Sequence, residues 1–280
     1  MNRAFHYLAG LAALLGATTV SAESDQAAKD AFHKYAMKLR EAAISSLEPR
    51  VSTPTTARTS AYAWRTGIVT TTFWVGENSS VNNPVHNRSS SWDANWAEAF
   101  GGFDNPDPSA RTADFRPAKF TPKQNPFYIA LPYNDTTRGT TKPEARRVIP
   151  WFDKAFVKAG QSVCRDRWVA VRNPRNGRIA YAQWSDCGPF RTDHYEYVFG
   201  NERPKPNLNA GAGLDVSPSV RDFLGINGTD VTDWRFVEVE SVPPGPWGKF
   251  GDNNDLVKAR DKSRVANAEP TVTTKVGAKR

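Results

Sequence analysis

Residues 179 to 189 read Ile-Ala-Tyr-Ala-Gln-Trp-Ser-Asp-Cys-Gly-Pro, and the reading of this stretch decides the fold. It is a half-buried strand that runs into Asp186 and is stopped at once by Gly188-Pro189. A strand that ends on a carboxylate just ahead of a turn holds that carboxylate at a barrel mouth on a stiff support. Further along, Gly213-Leu214-Asp215-Val216-Ser217-Pro218 places a second Asp just before a helix start. Ser217 is the helix cap and Pro218 takes its favoured first position.

The strand has a partner that can be registered from sequence. Arg167 to Arg172 and Arg178 to Gln183 are strand-like runs joined through Asn173-Pro174-Arg175-Asn176-Gly177. Pro favours the second position of a turn and Gly tolerates positive φ near its end, so a loop over 174–177 pairs Asn173 with Arg178. Counting outward without a bulge sets Arg165 opposite Asp186 and Cys164 opposite Cys187. In an oxidising compartment this register makes a Cys164–Cys187 disulfide, a staple on the strand that carries Asp186. Arg165 in that place lowers the Asp186 pKa and favours a structural ion pair.

Three more strands follow from composition. Gly67 to Val75 is rich in β-branched and aromatic residues, Asn125 to Tyr133 forms a second strand, and Trp234 to Val239 closes the sheet. Between the first two, residues 78–126 show little periodicity. They hold Trp92, Trp96 and the string Asp104-Asn105-Pro106-Asp107-Pro108. Their aromatic content argues for order, and a loop of this length is functional or a folded Ω-type excursion. The two Trp serve either as a sugar-stacking platform or as packing against the barrel. The Asn/Asp string lacks the ligand spacing of a calcium loop. A second insertion covers roughly 136–162.

The order of strand, Asp186-Cys187-Gly188-Pro189-Phe190, loop, Leu214-Asp215-Val216-Ser217, short helix and final strand resembles the double-psi β-barrel of the rare lipoprotein A family. More loosely it resembles the barrels of expansins and of membrane-bound lytic transglycosylase A. The resemblance runs from about Cys164 to Val239. Upstream, Ala130-Leu131-Pro132 resembles that family's small-Leu-Pro segment, although Tyr128 and Ile129 stand where its members carry a His. The fold it implies is mainly β, a six-stranded double-psi β-barrel over residues 61–250 with long loop insertions and an N-terminal helix.

The function it implies is action on cell-wall glycan. Lytic transglycosylase barrels use one carboxylic acid, which protonates the glycosidic oxygen. Its conjugate base then helps the sugar's own 6-hydroxyl close an anhydro ring, and no second carboxylate nucleophile is needed, unlike the two-carboxylate hydrolases. Asp186 matches that acid by position, and Asp215 supports it as a like-charged neighbour that raises its pKa. Glu77, Asp135, His194, Trp92 and Trp96 are the candidate substrate contacts. The alternative is a non-catalytic, expansin-like binding module, in which Asp186 and Asp215 tie the two psi loops together through backbone N–H groups.

The ends of the chain set its compartment. Arg3, the apolar stretch Tyr7 to Val20 and the small-x-small site Val20-Ser21-Ala22 read as a secretory signal peptide over residues 1–22. That apolar run is short for a bilayer, so no transmembrane anchor is expected. The expected localisation is periplasmic or secreted. Residues 23–60 read as a helical extension and linker, and residues 251–280 as a disordered charged tail. Loss of residues 1–22 removes Arg3 alone among the charged groups, so the net charge of +8 becomes +7. An excess of that size favours polyanionic partners, here peptidoglycan or another acidic wall polysaccharide. No nucleic-acid motif, Ser-His-Asp order, phosphate loop or metal-ligand spacing is present. The expected protein is a monomer that uses no cofactor and no metal.

Overall fold

The computed structural model describes residues 62–80 and 83–268, all within the unit spanning Thr59–Arg280. The expected signal peptide and helical extension, residues 1–60, lie outside the described residues. The barrel strands in chain order are β1 (Arg65–Thr72), β2 (Tyr128–Leu131), β3 (Trp168–Arg172), β4 (Ile179–Cys187), β5 (Leu214–Val216) and β6 (Thr229–Phe236). They close into a mainly β, six-stranded barrel in the order β1-β5-β2-β4-β3-β6. β1 runs parallel to β5 and β2 parallel to β4, while the other four contacts are antiparallel. Parallel neighbours cannot be joined by tight hairpins, so the long connections must cross over the barrel.

The β3–β4 hairpin has the expected register, from Arg172 opposite Ile179 to Trp168 opposite Gln183. One step further the ladder ends. Asp166 takes a left-handed φ of 64° and its N–H bonds the Trp184 carbonyl, so the chain turns away before Arg165. This corrects two expectations. Arg165 is not opposite Asp186, and Cys164 and Cys187 are free thiols rather than a disulfide. A second irregularity lies on the other edge of β4. Ile129 pairs with Trp184, yet Ala130 pairs with Asp186, so Ser185 is the extra residue of a β-bulge. Bulges of this kind re-aim the side chain that follows them.

The core is aromatic. Trp168, Trp184, Trp234, Phe127, Ile129 and Leu131 are buried in one cluster with Val169, Val171 and Leu214. Gly213 is needed where the crossover passes close to this cluster, because an added Cβ would sit 2.3 Å from a Pro204 side-chain carbon and 2.8 Å from the Tyr197 hydroxyl.

The long 78–126 loop folds as an ordered excursion. Its helix α1 (Trp96–Phe100) buries Trp96 and Phe100 against Phe73, Val75 and Tyr128 in a satellite cluster. The Asn/Asp string is structural: buried Asp104 pairs with Arg111 at 2.8 Å and accepts the Tyr128 hydroxyl at 2.9 Å. The 136–162 insertion forms a small hairpin, Thr136–Thr137 with Thr140–Thr141, then helices α2 (Ala145–Val148) and α3 (Phe152–Ala155).

After β4 come the short helix α4 (Tyr195–Val198) and, past β5, α5 (Pro218–Leu224). Ser217 caps α5 as expected, its hydroxyl accepting the Val220 N–H. The first part of the tail differs from the sequence expectation, while residues 269–280 lie outside the described residues. Asp255–Ala268 forms a 14-residue helix, α6, whose Leu256 packs against the core. Asn254 explains its start. Its Oδ1 accepts the Leu256 N–H at 3.0 Å, while its Nδ2 donates to the Trp247 and Phe250 carbonyls. A local cap and a buried amide thus organise a segment whose composition is polar.

Candidate active site

One register row crosses four strands of the barrel. Thr71 on β1 pairs with Asp215 on β5, Asp215 with Ala130 on β2, and Ala130 with Asp186 on β4. Residues directly paired across strands share a face, so both Asp side chains rise on the same side of the sheet. Two strand spacings separate their backbones by about 9.6 Å, and the short Ala130 side chain leaves the gap between them open. The Ser185 bulge is what brings Asp186 into this row. Without the extra residue, Ser185 would pair with Ala130 and Asp186 would point to the opposite face.

The row forms the floor of a cleft of about 390 Å³. Its wall is made by Glu77, Asn83 and Asn87, the Ser89–Ser91 run, Thr72, Gly188–Phe190, Thr192 and Asn209. Among the described residues no Lys, Arg or His lines it, although the whole chain carries a net charge of +8. A second, more open cavity of about 990 Å³ adjoins the first through Ser89, Ser90 and Ser91, and Trp92, Lys158 and Arg165 line it.

Asp186 is half-buried, and burial pushes its pKa up to about 6 against hydrogen bonds that favour the ionised form. Those bonds come from the Ser91 and Cys187 backbone N–H groups, each at 2.7 Å to Oδ1. The Trp184 indole N–H holds the Asp186 carbonyl at 2.7 Å and fixes the backbone beneath the carboxyl. Arg165 donates instead to the Trp92 carbonyl at 2.9 Å and to Asp93 at 3.0 Å. Asp186 therefore lacks the cation that would have kept it low.

Asp215 is raised further, to about 7. Burial is the main cause, opposed by the hydroxyl hydrogen bond from Thr71 and reinforced by the negative charges of Glu77 and Asp186. Glu77 also lines the cleft. It accepts the Asn87 side-chain amide at 2.8 Å, and burial raises its pKa. Three carboxyl groups of elevated pKa thus share one small space. Cys187 lies beside them, but burial first and the Asp186 charge second push its thiol well up, so it is not a thiolate at neutral pH.

The structure brings together Asp186, Asp215 and Glu77 of the expected site residues, and it places four others elsewhere. Asp135 is fully buried, accepting the Ser162 hydroxyl at 2.6 Å and the Val163 N–H at 2.7 Å. It organises the loop entering β3. His194 is buried with Nε2 3.2 Å from Glu202, away from the cleft wall, and its ring nitrogen and the Glu196 and Glu202 carboxylates lie within 4.8 Å of one another. Trp96 is in the satellite core, its indole N–H on Gln124. Trp92 packs edge-on against Trp184 and donates to Asn134, facing the second cavity rather than the carboxyls.

Sequence reasoning did not find Thr71, Ser91 or Phe190. Alternation along Thr70-Thr71-Thr72 and the tri-serine at 89–91 were the available signals for the first two. The chain matches no protein-family model, and no curated protein matches it either.

Proposed function

We propose that this chain is an exported protein that acts on cell-wall glycan as a lytic transglycosylase, with Asp186 as its acid/base and Asp215 as its supporting carboxyl. The observation that carries the reading is the paired row of Asp215 and Asp186 in a cleft with no basic lining among the described residues. A cleft walled by hydroxyls, amides and carboxyls suits a neutral polyhydroxylated ligand. A carboxyl with a pKa near 6 is poised to give and take a proton near neutrality.

In the proposed step protonated Asp186 donates to the glycosidic oxygen as the C1–O bond breaks. The same carboxylate then takes the proton of the sugar's 6-hydroxyl as O6 bonds C1. The proton is returned, no water is consumed, and the product carries a 1,6-anhydro end. Asp215, whose pKa burial also raises, is the neighbouring carboxyl that supports Asp186.

Purified protein incubated with peptidoglycan sacculi is expected to release anhydro-ended muropeptides, and Asp186→Asn is expected to reduce release by about 10²–10⁴-fold with the fold unchanged. The wild-type rate should fall as pH climbs above about 6, where Asp186 loses its proton. A fully active Asp186→Asn protein would remove Asp186 from the chemistry.

A second reading has its own observation. The two backbone N–H groups on Asp186 Oδ1 are what a carboxylate that ties loops together would accept. In that case the barrel is a glycan-binding, expansin-like module. Wild-type protein that is retained on sacculi but releases nothing decides for it.

A further inference from the structure

Phe190 stands at the mouth of the cleft, four residues after Asp186, and its ring is 41% exposed. Its backbone has a φ of 57°, a left-handed conformation that is costly for a bulky side chain. The Arg191 N–H reaches back to the Pro189 carbonyl at 2.7 Å, so Phe190 is the central residue of a γ-turn of the rare, strained type. The turn is fastened on both sides. Gly188 N–H bonds the Leu131 carbonyl at 3.1 Å, and the Arg191 guanidinium pairs with Asp193 at 3.0 Å.

Among the described residues the Phe190 ring meets no other aromatic ring or cation, and it belongs to neither core cluster. Backbone strain kept at a cleft mouth, under a ring that faces the opening, points to a ligand. The rim of the same cleft carries Pro84 and Val85, the latter 65% exposed, so a second apolar surface borders the carboxyl floor.

We propose that Phe190 is the sugar-stacking residue of this site, presenting its ring to the apolar face of a pyranose whose hydroxyls reach the carboxyls. The inference rests on the glycan reading above and assigns to Phe190 the platform role that the sequence suggested for Trp92 and Trp96. A ring face takes the C–H side of a sugar, while the polar floor takes its edge, which is the division of labour expected of an aromatic group beside hydrogen-bonding groups.

The test is retention of the full chain on purified sacculi, titrated to half-saturation, together with the thermal midpoint of each variant. Phe190→Gly should raise the half-saturation point about tenfold, with Tm equal to wild type or higher by up to about 3 °C, because Gly adopts positive φ freely. Phe190→Leu keeps an apolar side chain in the same turn but has no ring face, and should lose retention as well. Phe190→Trp should keep it. The difference between Phe190→Leu and wild type should be equal at low and high salt, since stacking is uncharged. Wild-type affinity in Phe190→Leu overturns the proposal, as does loss of retention in Phe190→Gly accompanied by a fall in Tm. If wild type itself is not retained, it is the glycan reading that fails.

Discussion

Replacing Asp215 by Asn should make the protein more stable, and only above mildly acidic pH. The wild-type carboxyl has a folded pKa of about 7 against an ordinary 3.8, so the folded state binds its proton more tightly than the unfolded state does. A group raised in this way gives its full stability below about pH 4 and loses it as pH rises through about 7. Above that, folding has to hold an anion in a poorly solvated cleft next to Glu77 and Asp186. The gap of about 3 pKa units, at about 1.4 kcal/mol each, sets a ceiling near 4 kcal/mol. Asp215 is only half-buried, and water in the open cleft screens part of this, so about 2 kcal/mol is the working figure. Asn keeps an oxygen for the Thr71 hydroxyl, so no hydrogen bond is forfeited in exchange. For a domain of this size the gain corresponds to a Tm higher by about 4–8 °C at pH 8.5, and to no gain at pH 4. Thermal unfolding of both proteins across pH 4–9 measures it. A variant of equal or lower Tm at pH 8.5 would refute the reasoning, since it would mean that the carboxylate ionises in the cleft without cost.

Two further substitutions test the scaffold around the cleft. Asp104→Ala leaves Arg111, with 3% of its side chain exposed, only its longer 4.0 Å pairing with Asp222, and should cost about 3 kcal/mol, seen as a fall in Tm of about 6–12 °C. A change within a degree would show that this pair does not hold the 78–126 loop in place. Asn254→Ala removes the cap of α6 and leaves the Trp247 and Phe250 carbonyls without their donor, a loss of about 2–4 kcal/mol by denaturant titration. Unchanged stability would mean that α6 is not coupled to the barrel.

What the amino-acid sequence determined by itself was whatever local chemistry decides. Pro174 and Gly177 admit few turn geometries, and the β3–β4 register followed from them residue by residue. Ser217 and Pro218 located α5 because a cap bonds the helix within its first turn. Strand-forming composition placed most of the six strands that close the barrel, and the positions of Asp186 near a strand end and Asp215 just ahead of a helix were legible in the same way. Other features rested on contacts between segments far apart in the chain, and no local pattern encodes those. Asp166 leaves the ladder at positive φ, and Arg165 beyond it pairs with Asp93. The bulge at Ser185 puts Asp186 in a row with Ala130 and Asp215, and it depends on how β2 lies along β4. Ser91 reaches Asp186 from 95 residues upstream, and aromatic side chains of equal hydrophobicity part ways, Trp96 into the core and Phe190 to the cleft mouth. Periodicity reports which residues are fit to be buried. Which charge neighbours a carboxyl, and so which proton it holds, is settled only when the closing barrel brings distant strands and loops to one rim.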